Sequence, residues 1–117
     1  MEDDFKRGDV FWVDLNPTIS SETGKVRPCI IIQNDVGNKY SPVTIVAVIT
    51  SQKRLSQKYP VDVWVESGEG GLDVPSIIQL DQIRTVDKKR LVRRLGHFSD
   101  SIMKEVDQAI KVSLALD

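Results

Sequence analysis

Leu95-Gly96-His97-Phe98-Ser99-Asp100-Ser101-Ile102-Met103 is the stretch where the period of the chain changes. C-terminal to it, Ile102, Met103, Val106, Ala109, Ile110 and Leu114 recur at the three-and-four spacing of one helical face. Ser99 is placed to cap that helix, and Asp100 falls in its first turn, where the dipole favours an acid. N-terminal to it, short β-branched runs alternate with turn residues, the pattern of a small all-β body. Asp9–Leu15 alternates Phe11, Val13 and Leu15 against Val10, Trp12 and Asp14. Arg27–Gln33 is a continuous apolar run behind Pro28, whose missing donor suits the start of a strand. Thr44–Thr50 reads as a buried strand, and Val61, Val63 and Val65 alternate with Asp62, Trp64 and Glu66. Ser76–Leu80 and Gln82–Val86 read as two short strands or one bent strand, with Asp81-Gln82 a bulge between them. Leu91–Phe98 completes the set. About six strands and one terminal helix predict an α+β fold: a small, strongly bent β-barrel with a helix packed outside.

The composition fits one domain spanning residues 1–117, with 16 Lys and Arg against 17 Asp and Glu and 40% apolar side chains. No repeat or Pro/Ser/Gly linker divides it. One Cys, in the apolar run Pro28–Ile32, cannot form an internal disulfide and reads as a buried thiol. One Cys and one His cannot supply a zinc ligand set, and no spaced Asp-x-Asp loop is present, so no metal site is expected. The longest apolar stretch is far below the roughly 18 residues of a membrane span. The acidic start Met-Glu-Asp-Asp-Phe is unlike a signal peptide. A soluble, cytoplasmic protein with no membrane partner is expected.

The formal net charge of −1 hides an uneven distribution. Arg84, Lys88, Lys89, Arg90, Arg93 and Arg94 crowd one segment against Asp87 alone, and Lys53, Arg54 and Lys58 share a loop without an acid. Local basic patches permit a polyanion partner even in a neutral chain, although a charge run is also what a solvated face looks like. Arg27, at the mouth of a buried strand, can grip a phosphate bidentately. Thr50 and Ser51 end an apolar strand and place hydroxyls at its rim. Glu22 sits in the polar loop Asn16–Val26, a base or a solvated acid. Trp12 and Trp64 offer stacking surfaces or interface contacts. His97, the only histidine, has no companion acid at nucleophile spacing and reads as structural.

Lys6-Arg7-Gly8-Asp9-Val10-Phe11-Trp12-Val13-Asp14-Leu15-Asn16-Pro17, Gly24-Lys25-Val26-Arg27-Pro28 and Gln33-Asn34-Asp35, taken in order, resemble the MazF/PemK family. Ile49-Thr50-Ser51 and Leu80-Asp81-Gln82-Ile83-Arg84-Thr85-Val86-Asp87 continue the likeness, which runs from about Lys6 to Leu116 and is nearest to the Gram-positive MazF branch. The resemblance implies a small SH3-like antiparallel β-barrel with a C-terminal α-helix, the CcdB/MazF-like fold, and the toxin of a type II toxin–antitoxin pair. It implies a sequence-specific endoribonuclease that needs no metal or cofactor and cleaves single-stranded mRNA to 2′,3′-cyclic phosphate and 5′-hydroxyl ends. It further implies a homodimer, held in check by a MazE-like antitoxin. Arg27 is then the main catalytic residue, with Thr50 on the scissile phosphate. Ser21, Glu22, Ser51, Asp81 and Gln82 follow the RNA, and Glu22 and Asp81 are open to a base role or to reading base edges. Relatives that carry a His in the first loop are not a guide here, because this loop has none. The alternative is the same fold as a CcdB-like gyrase poison without nuclease activity. The ending Leu114-Ala115-Leu116-Asp117 lacks the aromatic residue that such a poison uses.

Overall fold

Alternation in Asp9–Asp14 makes the first strand, β1, and the apolar run Val26–Ile31 makes β2. Then come a short helix α1 (Asp35–Tyr40), β3 (Val43–Ser51), β4 (Asp62–Val65), β5 (Ser76–Asp87), β6 (Leu91–His97) and α2 (Asp100–Ser113). The computed structural model describes residues 4–17, 25–54 and 57–117. No helix among the described residues is long and apolar enough to cross a membrane.

The six strands form one sheet in the order β4-β5-β3-β2-β1-β6, and every neighbouring pair is antiparallel. The expected barrel is therefore open. Among the described residues β4 and β6 are the outer strands and share no ladder. The turn Glu69–Gly71, which follows β4, lies against β6 instead: a Cβ on Gly71 would run into the Leu95 carbonyl, and one on Gly96 would stand 2.7 Å from the Gly70 backbone. Gly70 and Gly71 also have φ of +61° and +78°, which glycine alone adopts without strain.

Strand β3 is apolar at successive positions because the bent sheet buries both of its faces. On one face Val10, Ile30, Ala47, Ile49, Val63, Ile78 and Leu80 pack with Phe98 and with Ile102, Val106 and Ala109 of α2. On the other, Phe5, Phe11, Val13, Cys29, Ile31, Val46 and Val48 form a second cluster. Burial there pushes the Cys29 thiol up to about 12, the nearby Arg84 charge pulling weakly the other way, so the thiol is inert as expected.

Ser99 caps α2, its side chain accepting from the Ile102 N–H at 3.3 Å; of the predicted apolar face Ile102, Val106 and Ala109 are buried, Met103 and Ile110 half-buried, and Leu114 exposed at the helix end. Arg7 fastens the helix to the sheet by donating to the Ile32 carbonyl (2.9 Å) and to Asp107 (2.7 Å). The helix α1 was not predicted. Asn34 caps it by accepting from the Gly37 N–H at 2.8 Å, and the buried Asn38 ties it to Gln33 and Thr44.

Gly71→Ala is expected to lower unfolding stability by about 3 kcal/mol or more, since it adds a backbone clash to the cost of positive φ. Gly68→Ala, with φ of +95° and nothing within 4 Å of the added carbon, should cost only about 1 kcal/mol. Urea titration of the two variants checks the contrast; equal losses would refute the packing account of the Gly70–Gly71 turn.

Candidate functional site

Pro28 has no N–H to donate, and the ladder between β2 and β3 begins only at Cys29, which pairs with Val48. Beyond that point the two strands part. β2 stays with β1, Arg27 opposite Val13 and Pro28 opposite Trp12. β3 stays with β5, Thr50 opposite Ile77 and Ser51 opposite Ser76. Carrying the Cys29–Val48 register two positions further sets Arg27 against Thr50. A pocket of about 410 Å³ opens there, with Arg27, Pro28, Thr50 and Ser51 along its parted strands. Trp12 and Arg93 extend it toward β6, and Gly71, Leu72, Asp73 and Val74 form the facing wall.

The arginines of the basic segment are divided between bracing and the pocket. Arg84 donates to the Leu15 carbonyl at 2.6 Å, and Arg90 donates to the Asp14 carbonyl at 3.1 Å and to that of Asn16. Arg94 pairs at 2.6 Å with the fully buried Asp9 carboxylate. That carboxylate also lies 2.6 Å from His97 Nδ1 and accepts from the Lys6 N–H, so the lone histidine has an acid partner that its sequence context did not reveal. Arg93 is exposed and lines the pocket.

Arg27, Thr50 and Ser51 are thus brought together from two strands. Ser21 and Glu22 lie outside the described residues. Asp81 and Gln82 form the predicted bulge: Val48 pairs with Gln79 and Ala47 with Ile83, which leaves Leu80, Asp81 and Gln82 without a counterpart on β3. Neither Asp81 nor Gln82 lines the pocket. Asp81 instead lies near Asp62 of β4, and its charge adds to the burial that pushes the Asp62 carboxyl up, against a 3.0 Å hydrogen bond donated by the Tyr59 N–H. Sequence reading overlooked Asp73 and did not single out Arg93. Their signal was the tight turn after β4 and the register of β6 on β1, which only the fold supplies. Among the described residues no three His, Cys, Asp or Glu side chains are grouped as metal ligands.

The chain is thus an open antiparallel sheet with a terminal helix and a cleft that Arg27 lines from one parted strand and Thr50 and Ser51 from the other. Residues 6–114 match the model of the PemK-like, MazF-like toxins of type II toxin–antitoxin systems, and the chain belongs to that family. It is 48% identical over 111 residues to endoribonuclease EndoA of Bacillus subtilis (strain 168), covering 95% of each chain. Among solved structures it is similar to an endoribonuclease in complex with its cognate antitoxin from Mycobacterial species (TM-score 0.80, 21% identity, 97% and 98% of the two chains). MazF from Deinococcus radiodurans shares the fold as well (TM-score 0.79, 20% identity, 95% and 96%).

The raised Asp62 carboxyl carries a signed consequence. The folded chain keeps its proton where the unfolded chain has lost it, so stability declines as pH rises from the ordinary aspartate range through the raised value. Asp62→Asn retains an acceptor for Tyr59 and removes the charge, so the decline should vanish from Tm measured against pH. An unaltered slope in the variant would assign it to other groups.

Proposed function

We propose that the protein is the toxin endoribonuclease of its pair, cutting single-stranded RNA at the Arg27–Thr50 cleft. The observation that carries this reading is the parting of β2 and β3 at Pro28, which sets Arg27 and Thr50 across one pocket. RNA brings its own nucleophile, so the protein needs to align and stabilise rather than attack. The 2′-OH loses its proton and bonds to the adjacent phosphorus, the bond to the 5′-oxygen breaks, and that oxygen is protonated. The ends are a 2′,3′-cyclic phosphate and a 5′-hydroxyl.

Arg27 neutralises the charge that builds on the phosphorane, and the Thr50 hydroxyl donates to a non-bridging oxygen. With a pKa above about 12, Arg27 is a poor proton donor near neutrality, so its role is electrostatic. Asp73 is the carboxylate that the described residues bring to the pocket, and Glu22 precedes Arg27 by five positions in the sequence. The one that takes the 2′-OH proton is the one whose amide variant loses about 10² to 10⁴ in kcat. Asp81, set apart by the bulge, serves RNA contacts rather than proton transfer. The chemistry proceeds without a bound metal. A MazE-like antitoxin silences the toxin by covering the cleft, and the toxin acts as a homodimer.

Purified protein in EDTA is expected to cut a mixed RNA pool at a few fixed sequences and leave cyclic-phosphate ends. Arg27→Ala should reduce cleavage at least about 10³-fold, the scale of a lost transition-state charge contact, while the fold is preserved by circular dichroism. Thr50→Ala should cost less. RNA left intact by the wild-type protein, with gyrase inhibited instead, would overturn the reading in favour of a CcdB-like poison.

A further inference from the structure

Reading across the sheet from β3 through β2 and β1 to β6, the pocket presents Thr50 and Ser51, then Arg27 and Pro28, then Trp12, then Arg93. Trp12 pairs with Pro28 on one side and with Arg93 on the other, so these three side chains share one face of the sheet. That face therefore runs apolar ring, indole, cation, and Arg27 lines the same pocket one position along β2 from Pro28. We propose that Trp12 and Arg93 form a second RNA subsite, in which Trp12 stacks a base flanking the cleavage point and Arg93 holds the phosphate beyond it. The assignment rests on the nuclease reading of the Arg27 cleft and extends it.

Three observations support this placement. Neighbouring strands lie about 4.8 Å apart, so Arg93, two strands from Pro28, is anchored roughly 10 Å away and meets a different phosphate from the one that Arg27 meets. Arg84, Arg90 and Arg94 each clamp a carbonyl or a carboxylate, whereas Arg93 makes no hydrogen bond or ion pair among the described residues. Its donors are available in the pocket that it lines. A charged residue on an edge strand such as β6 also guards against sheet extension. A guard alone has no need of an aromatic neighbour in register at the wall of an anion-binding cleft. Base, then phosphate, is the order in which single-stranded RNA presents itself to such a row, and every base offers a face to stack.

The test uses a short single-stranded RNA with one cleavage site, made uncleavable by a 2′-deoxy nucleotide there, and reads anisotropy across a salt series. Arg93→Gln should weaken binding about tenfold and make the slope of log K against log salt shallower by about 0.7, the value of one phosphate on a single strand. Arg93→Lys keeps the charge and should restore the slope. Lys39→Gln, on α1 away from the pocket, should leave both quantities as in wild type. Trp12→Leu should weaken binding about five- to hundredfold with no change of slope. A neutral methylphosphonate at each phosphate flanking the scissile one then locates the contact: at one position it weakens wild type but not Arg93→Gln. An unchanged slope and affinity in Arg93→Gln, beside a wild-type protein that cuts RNA, overturns the subsite and leaves the nuclease standing. A wild-type protein that neither binds nor cuts overturns the nuclease reading, and the subsite with it.

Discussion

The missing N–H of Pro28 is the constraint on which the site depends. A sheet normally satisfies its backbone by continuing every ladder, and a strand whose polar groups find no partner is unstable away from water. Here β2 and β3 pair from Cys29 to Ile31 and then separate, each keeping its other neighbour. The strands on either side of the cleft are thus still held, β2 by β1 and β3 by β5, and only the two inner edges turn toward the opening. Those edges carry Arg27 on one side and Thr50 and Ser51 on the other. The cleft is an interruption in the sheet, edged by paired strands and faced by the segment Gly71–Val74.

Holding such an interruption open requires a stiff surround, and the basic residues supply much of it. Arg84 and Arg90 gather the carbonyls where β1 ends, from Asp14 to Asn16, and Arg94 neutralises the buried Asp9 where β1 begins. A guanidinium suits this work because its planar fork donates in several directions and stays charged. The basic run thus has two kinds of member. With a net charge of −1, the protein has no broad field to gather RNA, so attraction is confined to the few cations left at the cleft and at the exposed turn after β3, where Lys53 and Arg54 stand.

The strands were legible wherever burial leaves a periodic mark. Asp9–Leu15, Thr44–Thr50 and the helix after Ser99 are clear because each has a face that must avoid water, and Ser99 because a cap has few alternatives. The bulge at Asp81-Gln82 showed as a polar break between two apolar runs. Closure of the barrel was not legible: whether outer strands pair depends on the Gly70–Gly71 turn, whose effect lies in its contact with Leu95 and Gly96, far along the chain. The helix α1 went unseen because six residues containing Gly37 and Asn38 have low helix propensity, and it persists through its Asn34 cap and the buried Asn38. At the site, Arg27 and Thr50 were chosen through likeness to a family. Their meeting across the cleft follows from register alone, which no single stretch of sequence contains.

If the cleft cuts RNA as proposed, register also lets catalysis and recognition sit close without interfering. In one continuous sheet, the strands that carry Arg27 and Thr50 and those that carry Trp12 and Arg93 are adjacent members of a single rigid row. A substrate lying across the strands meets them in sequence. Contacts to successive phosphates then position the chain, while the reacting phosphate alone experiences the guanidinium and the hydroxyls that face each other. On the proposed reading, binding made at β1 and β6 would act on ground state and transition state alike, whereas stabilisation at β2 and β3 would grow only as charge builds on phosphorus. A substitution on β6 can therefore alter how tightly RNA is held, and which RNA is held, without touching the groups that lower the barrier. In a domain of 117 residues, that separation along a strand order would let specificity vary while the chemistry stays fixed.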